Sequence, residues 1–114
     1  MKRLFEEDIK LSYGEPPYDI HLEARAVGGD IFAVVTGGTR PHVGAVALAD
    51  SAGVSVLQAE GHKDAVLAEM FARKLFEEYG VNVCVSAGVH VDNATSEEIA
   101  LMVENAKTLL AEFR

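Results

Sequence analysis

The fold is decided by residues 63–98, KDAVLAEMFARKLFEEYGVNVCVSAGVHVDNATSEE. From Glu69 to Glu77 a charged residue recurs every fourth position, which is the period of one face of an α-helix. This pattern predicts an amphipathic helix over 63–79 that ends at Gly80, because glycine is the usual residue after a helix C-terminus. The opposite stripe is apolar and consists of Ala68, Phe71, Ala72, Leu75 and Tyr79.

The rest of the quoted stretch predicts a strand and a second helix. Val81–Ala87 is mainly apolar and has the length of a strand. Thr95 and Glu98 form a capping box, in which each side chain accepts a hydrogen bond from the other residue's backbone N–H. This motif predicts a helix over about 96–112. Its buried stripe is expected to be Ile99, Met102, Val103, Ala106, Leu110 and Phe113.

The residue pattern of the N-terminal half predicts strands. Tyr18–Val27 alternates apolar and polar residues, as expected of a half-solvated strand. Ile31–Thr36 is apolar on both faces, which predicts a central strand covered on both sides. Val43–Leu48 and Val54–Ala59 are two further strands, and Leu4–Tyr13 is a weaker one. We therefore expect residues 1–114 to form a single α+β domain: one mainly antiparallel sheet of five to six strands with two helices on one face.

Composition narrows the class of function. The 114 residues include 18 acidic and 10 basic side chains, a formal net charge of −8. This acidic balance disfavours binding of nucleic acid, because such binding requires lysine and arginine side chains that neutralise phosphates. The apolar runs are too short to span a membrane and no secretory leader is evident. The single cysteine, Cys84, suits a reducing compartment and is expected to be an inert core residue, so we expect a cytoplasmic protein.

Three loops contain the side chains that are candidates for a binding or catalytic site. Each follows a predicted strand and places a histidine beside glycine: His42, His62 and His90. We expect these histidines to converge in one pocket, whereas the fourth, His21, is expected on the solvated face of its strand. The three loops are Thr36–Gly44, Glu60–Asp64 and Gly88–Asn93.

Charge distribution indicates an anionic ligand. Arg40 is the only arginine or lysine between Arg25 and Lys63. Cations beside glycine backbone offer charge-assisted hydrogen bonds and accessible amides, and a helix start near Lys63 adds a partial positive charge suited to phosphate. Each feature also has an ordinary structural explanation, since Gly37-Gly38 is typical of a turn and a histidine at a strand end is often a hydrogen-bonded structural residue.

Two other classes of function stay open. His42, His62 and His90 can in principle bind a divalent metal, although their spacings of 20 and 28 residues lack any short ligand motif. With Asp92 they would form a small metal-dependent or acid–base enzyme. A purely structural subunit whose loops form a protein interface is the third possibility. A homodimer is favoured in each case, because two helices cannot cover both faces of an apolar strand.

The same loops resemble those of the prenylated-flavin chaperone (LpdD-like) family, accessory proteins of UbiD-type decarboxylases such as gallate decarboxylase. The resemblance lies in Gly37-Gly38 followed by Pro41-His42-Val43-Gly44, in Gly61-His62-Lys63-Asp64, and in Gly88-Val89-His90-Val91-Asp92. It extends from about Ile31 to the C-terminus.

The resemblance implies binding rather than turnover, so no catalytic residue is expected. A member would hold prenylated flavin mononucleotide (prenylated FMN) and pass it from a flavin prenyltransferase to the decarboxylase. Arg40 and Lys63 would then face the phosphate, and the histidines would face the ring edge or a bridging metal. The expected cofactor-binding residues are Gly37, Gly38, Arg40, His42, His62, Lys63, His90 and Asp92.

Overall fold

The computed structural model describes residues 1–60 and 64–113. They form six strands and two helices in the order predicted. The strands are β1 (Ile9–Tyr13), β2 (Ile20–Val27), β3 (Asp30–Gly38), β4 (Ala45–Asp50), β5 (Gly53–Gln58) and β6 (Val83–His90), and the helices are α1 (Ala65–Tyr79) and α2 (Ser96–Glu112).

All six strands belong to one sheet in the order β1-β2-β3-β6-β4-β5. Within the described part of the chain, β3 and β6 pair in parallel and the other four pairings are antiparallel. The predicted α+β class with a mainly antiparallel sheet is therefore confirmed. The parallel pair brings the C-terminal ends of β3 and β6 side by side. Two of the histidine loops therefore lie next to each other at the same end of the central strands.

The hydrophobic core lies between one face of the sheet and both helices. Strand residues that point to this face are paired across the sheet, as in the row Leu22, Val35, Ala87 and Ala45, and all of them are buried. The predicted stripe of α1 is confirmed, because Ala68, Phe71, Ala72, Leu75 and Tyr79 are all buried.

The opposite face of the sheet is open in the single chain, so the second cover predicted for β3 does not come from the chain's own helices. Phe32 is 38% exposed and Val34 is only half-buried. Cys84 is half-buried on this open face rather than inside the core. Burial nevertheless raises the pKa of its thiol, which keeps it in the less reactive protonated form.

Several predicted boundaries shift by one to five residues. Gly37 and Gly38 belong to β3 rather than to the following loop, and His90 is the last residue of β6 rather than a loop residue. Both extensions come from the parallel ladder, which pairs Gly38 with His90. β4 begins at Ala45 instead of Val43, and β1 begins at Ile9 instead of Leu4.

The two helix ends chosen from the sequence are confirmed. The N–H of Glu98 donates to Thr95 Oγ1 at 3.1 Å, and the N–H of Thr95 donates to Glu98 Oε1 at 2.8 Å. Gly80 ends α1 in the left-handed conformation, with φ 66°, and its N–H donates to the Phe76 carbonyl. Among the described residues, no helix is long and apolar enough to cross a bilayer.

Candidate functional site

The site is built where β3 and β6 end next to each other. Two successive N–H groups beyond β3, those of Thr39 and Arg40, donate to the carbonyl of His90 at 2.9 and 3.4 Å. Gly38 makes this turn possible, because its φ is +76° and a Cβ there would lie 2.2 Å from the His90 carbonyl oxygen. The chain therefore turns tightly over the end of β6 and directs Arg40 toward His90 and Asp92.

Arg40, His90 and Asp92 form one hydrogen-bonded cluster. Arg40 Nη2 donates to Asp92 Oδ1 at 2.7 Å and lies 2.9 Å from His90 Nε2, which is itself 2.9 Å from Asp92 Oδ1. The hydrogen bond with His90 and the positive charge of Arg40 hold the pKa of Asp92 below its usual range. Asp92 is therefore an ionised partner that orients both the guanidinium and the imidazole.

His42 is fixed by a second carboxylate, that of Asp64. Its Nδ1–H donates to the Arg40 carbonyl at 2.9 Å, and its Nε2 lies 3.0 Å from Asp64 Oδ2. Asp64 is buried, and its other carboxylate oxygen accepts the N–H of Val89 at 3.0 Å. The rings of His42 and His90 meet edge to face with centroids 6.2 Å apart. The two histidines thus converge as predicted.

Two glycines let the backbone approach this closely. A Cβ on Gly88 would lie 1.6 Å from the His42 carbonyl oxygen, and a Cβ on Gly44 would lie 1.8 Å from Asp64 Oδ2. The N–H of Gly44 donates to the Ala87 carbonyl at 2.9 Å. The loop that contains His42 is therefore pressed onto β6, and any larger residue at either glycine must displace it.

A groove of about 730 Å³ opens beside this polar cluster. It lies between the end of β6, the first turn of α1 and the first half of α2. Arg40, His42, Asp64 and His90 line one part of it. Its apolar lining consists of Pro41, Val66, Leu67, Val89, Val91, Ala94, Ile99, Met102 and Val103.

The groove explains a wrong prediction about α2. Ile99 was expected in the buried stripe, yet it is 51% exposed, and Val66 on α1 is 66% exposed. Both side chains line the groove, so neither helix covers the other at this point. The core position that the prediction omitted is filled by Leu109, which is fully buried. Exposed apolar walls beside a few oriented polar groups are typical of small-molecule sites.

Among the described residues, the polar end of the groove has more carboxylates than cationic side chains. Arg40 supplies one positive charge, while Asp64 and Asp92 supply two carboxylates. Within residues 1–60 and 64–113, both side-chain hydrogen bonds of the Arg40 guanidinium use Nη2. Arginine has five N–H donors, so Nη1 and Nε keep donor capacity toward a ligand.

The structure brings together four of the predicted site residues: Arg40, His42, His90 and Asp92. Gly37 and Gly38 shape the turn behind them; Gly37 packs against the Asp19 carbonyl, where a Cβ would lie 2.4 Å from the oxygen. The remaining two predicted residues, His62 and Lys63, lie outside the described residues.

Asp64 is the site residue that sequence reasoning missed. It ends the Gly-His-Lys-Asp element at the start of the predicted helix, directly before the observed first residue of α1, where aspartate is normally explained as an N-cap. No group of three His, Cys, Asp or Glu side chains arranged to hold a metal ion occurs within the described ranges. Of the predicted metal ligands, His42 and His90 each face a carboxylate instead, and His62 lies outside those ranges.

Comparison with known proteins identifies similar chains. A family model described as "Prenylated flavin chaperone LpdD-like domain" matches residues 14–114, so the match begins 17 residues before the resemblance seen in the sequence. Protein LpdD of Lactiplantibacillus plantarum is 29% identical over 89 residues, which cover 73% of this chain and 65% of that protein. This chain thus matches less than two thirds of its relative's length.

A solved structure shares the fold. One chain of the crystal structure of a novel chaperone complex for yeast 20S proteasome assembly superimposes with a TM-score of 0.62, covering 92% of each chain at 16% sequence identity. At that identity the similarity concerns the fold alone.

Proposed function

Since this chain belongs to the prenylated flavin chaperone LpdD-like family, we propose that it binds prenylated FMN in the groove between β6, α1 and α2. The observation that supports this proposal is the groove itself, an apolar cleft with a cluster of arginine, histidine and aspartate at one part of its wall. A ligand with a flat apolar ring system and an anionic group fits both features.

The size of the groove suits such a ligand. Sites for drug-sized molecules and cofactors have volumes of roughly 300–1,000 Å³, and this groove encloses about 730 Å³. Val66 and Ile99 lie on opposite walls, and both are more than half exposed. Covering them with an isoalloxazine ring and its prenyl extension removes apolar surface from water, which stabilises the complex.

The phosphate is assigned to Arg40. Asp92 holds the guanidinium through Nη2, and the donors on Nη1 and Nε can then form a charge-assisted pair with phosphate oxygens. The neighbouring Asp92 and Asp64 carboxylates repel the phosphate, so Arg40 is the charge on which binding depends. On sequence grounds we propose that Lys63 and His62 add further donors.

In this proposal the protein holds and shields the cofactor and does not use it. The cofactor's chemistry, decarboxylation of an aromatic acid, takes place in the partner enzyme. The groove opens to solvent along Val66 and Ile99, which permits loading and release without unfolding. We propose a flavin prenyltransferase as the source of the cofactor and a UbiD-type decarboxylase as its destination.

Arg40→Ala tests the assignment. We expect it to weaken binding of FMN and of prenylated FMN by about 10- to 100-fold, the usual loss when a charge-assisted hydrogen bond is removed. Isothermal titration at two salt concentrations measures this, and the parent should show the steeper salt dependence. Arg73→Ala is the matched control, because Arg73 is an exposed arginine paired with Glu69 on α1.

Unchanged affinity in Arg40→Ala, together with a large loss of thermal stability, would make Arg40 a structural residue and overturn the phosphate assignment. A second candidate function then gains support, a small acid–base enzyme. The specific observation in its favour is the His42–Asp64 pair, an imidazole oriented by a buried carboxylate at a groove wall. Purified protein that lacks flavin absorbance and shows no affinity for FMN favours that candidate.

A further inference from the structure

The open face of the sheet is a surface that the proposed function leaves unused. It lies on the side of the sheet opposite the two helices and opposite the core face of Leu22, Val35 and Ala87. Residues that are paired across the strands form two adjacent rows on it. The first row is Arg25, Phe32, Cys84, Leu48 and Ser55. The second row is Glu23, Val34, Ser86, Val46 and Leu57.

The centre of this face is apolar and incompletely covered. Phe32 is 38% exposed and Leu48 is 48% exposed, and Leu57 on the edge strand β5 is 79% exposed. Between the ridges of β3 and β4, strand β6 presents only small side chains, those of Cys84 and Ser86. The face therefore has two apolar ridges, on β3 and β4, on either side of the small side chains of β6.

The polar part of the face is already internally hydrogen-bonded. Ser12 Oγ and Asp19 Oδ2 each lie 2.6 Å from a ring nitrogen of His21, and Lys10 Nζ lies 3.8 Å from Glu23. Polar groups that have partners within their own chain lose little when water is removed from them. The hydrogen-bonded His21 part of this margin therefore opposes burial less than unpaired groups would, whereas the exposed Glu23 carboxylate needs a cationic partner when it is buried.

We propose that the open face is the interface of a symmetric homodimer, in which the two sheets pack face to face and the helices lie outside. Aligned packing of two sheets in this way is a common arrangement. The two-fold axis lies in the interface, perpendicular to the strands and midway between the two rows. Rotation about it places the first row of each copy on the second row of the other copy. Phe32 then meets Val34 of the second copy, and Leu48 meets its Val46.

Charge supports a second copy as the occupant. The same axis places Arg25 of each copy opposite Glu23 of the other, which creates two ion pairs at the margin. The central side chains of both rows are uncharged. Two chains with a net charge of −8 repel each other over most of their surfaces, so an interface requires a face on which opposite charges match.

The size of the face agrees with this occupant. Six strands spaced about 4.8 Å apart, each about six residues long, give a face of roughly 600 Å². Two copies then bury roughly 1,200 Å², the lower end of the range for stable interfaces. The groove opens on the helix side of the sheet, so it stays accessible in the dimer.

Leu48→Glu tests the interface. By sedimentation equilibrium over a concentration series, the parent should have twice its chain mass of 12.2 kDa, and the variant should be monomeric. Leu101→Glu on α2 is the matched control, because Leu101 is exposed to a similar extent, 44%, and it should stay dimeric. Alkylation of Cys84 should be slower in the parent than in the monomeric variant. Leu57→Glu replaces Leu48→Glu if the latter does not fold.

The charge pair tests the symmetry. Arg25→Glu places two glutamates opposite each other and should raise the dimer dissociation constant by about 10-fold or more. Combining it with Glu23→Arg should restore association, because the pairs reform with reversed polarity. A parent that is monomeric throughout the series would overturn the proposal, as would a Leu48→Glu variant that remains dimeric. If the other variants behave as expected but the charge swap does not restore association, the proposed position of the two-fold axis is wrong.

Discussion

The two helices begin in different ways, although each is preceded by a residue that commonly caps helices. Thr95 caps α2 with its own side chain and receives the Glu98 carboxylate in return. Asp64 precedes α1, yet its carboxylate accepts from Val89 on β6 and lies beside His42. The first described amide of α1, that of Ala65, donates to the side chain of Gln58 at 3.3 Å instead.

This difference shows which helix start is structural and which contributes to the site. At α2 the local rule is satisfied completely, so Thr95 and Glu98 are explained by helix stability alone. At α1 a residue suited to capping is diverted to hold two other elements. Local rules are most often broken at functional sites, where other requirements override them. The polar end of the groove is such a place.

The largest effect on the free energy of unfolding is expected when the close packing around Asp64 is disrupted. Gly44→Ala places a Cβ 1.8 Å from Asp64 Oδ2, so the His42 loop or the carboxylate must move. We expect the free energy of unfolding to fall by about 3 kcal/mol, the upper end for overpacking. Urea denaturation measures the loss. Gly29→Ala is the control, because nothing lies within 4 Å of its Cβ position, and an equal loss there would show that the close approach is unimportant.

A smaller effect separates the two helix starts directly. Asp64→Ala leaves the Val89 N–H without its acceptor and should cost about 2 kcal/mol, with weaker binding of FMN because His42 is released. Thr95→Ala should cost about 1 kcal/mol, the usual loss of a cap, with little change in FMN affinity. Urea denaturation and calorimetric titration of both variants give the comparison. Equal effects on affinity would contradict the different roles assigned to the two residues.

The same contrast explains how much the sequence could predict. Periodicity and capping are local, so both helices and five of the six strands were located within a few residues from the sequence. The extension of β3 to Gly38 depends on pairing with His90, 52 positions away, and no local pattern contains that information. Asp64 was missed because its local explanation was sufficient. Ile99 was misplaced because periodicity predicts a helix face and cannot show that a groove leaves part of that face uncovered.

The smallest expected effect is the pH-dependent contribution of Glu98 to the stability of the fold. Its hydrogen bond from the Tyr18 hydroxyl, followed by that from the Thr95 backbone, holds the pKa of Glu98 below its usual value of 4.5. A carboxyl whose pKa is lower in the folded state stabilises the fold above its usual pKa, and this contribution is lost as the pH falls through the lowered value. Glu98→Gln should therefore reduce stability at pH 7 and become equal to the parent in strong acid.

Thermal unfolding of the parent and of Glu98→Gln between pH 7 and pH 2 checks this prediction. The two melting temperatures should differ at neutral pH and converge as the parent's Glu98 becomes protonated. Glu97→Gln is the control, because Glu97 lies in the same first turn of α2 but forms no capping box, and its loss of stability at pH 7 should be smaller than that of Glu98→Gln. A difference between the parent and Glu98→Gln that persists unchanged into acid would show that the ionised carboxylate is not what stabilises this helix start.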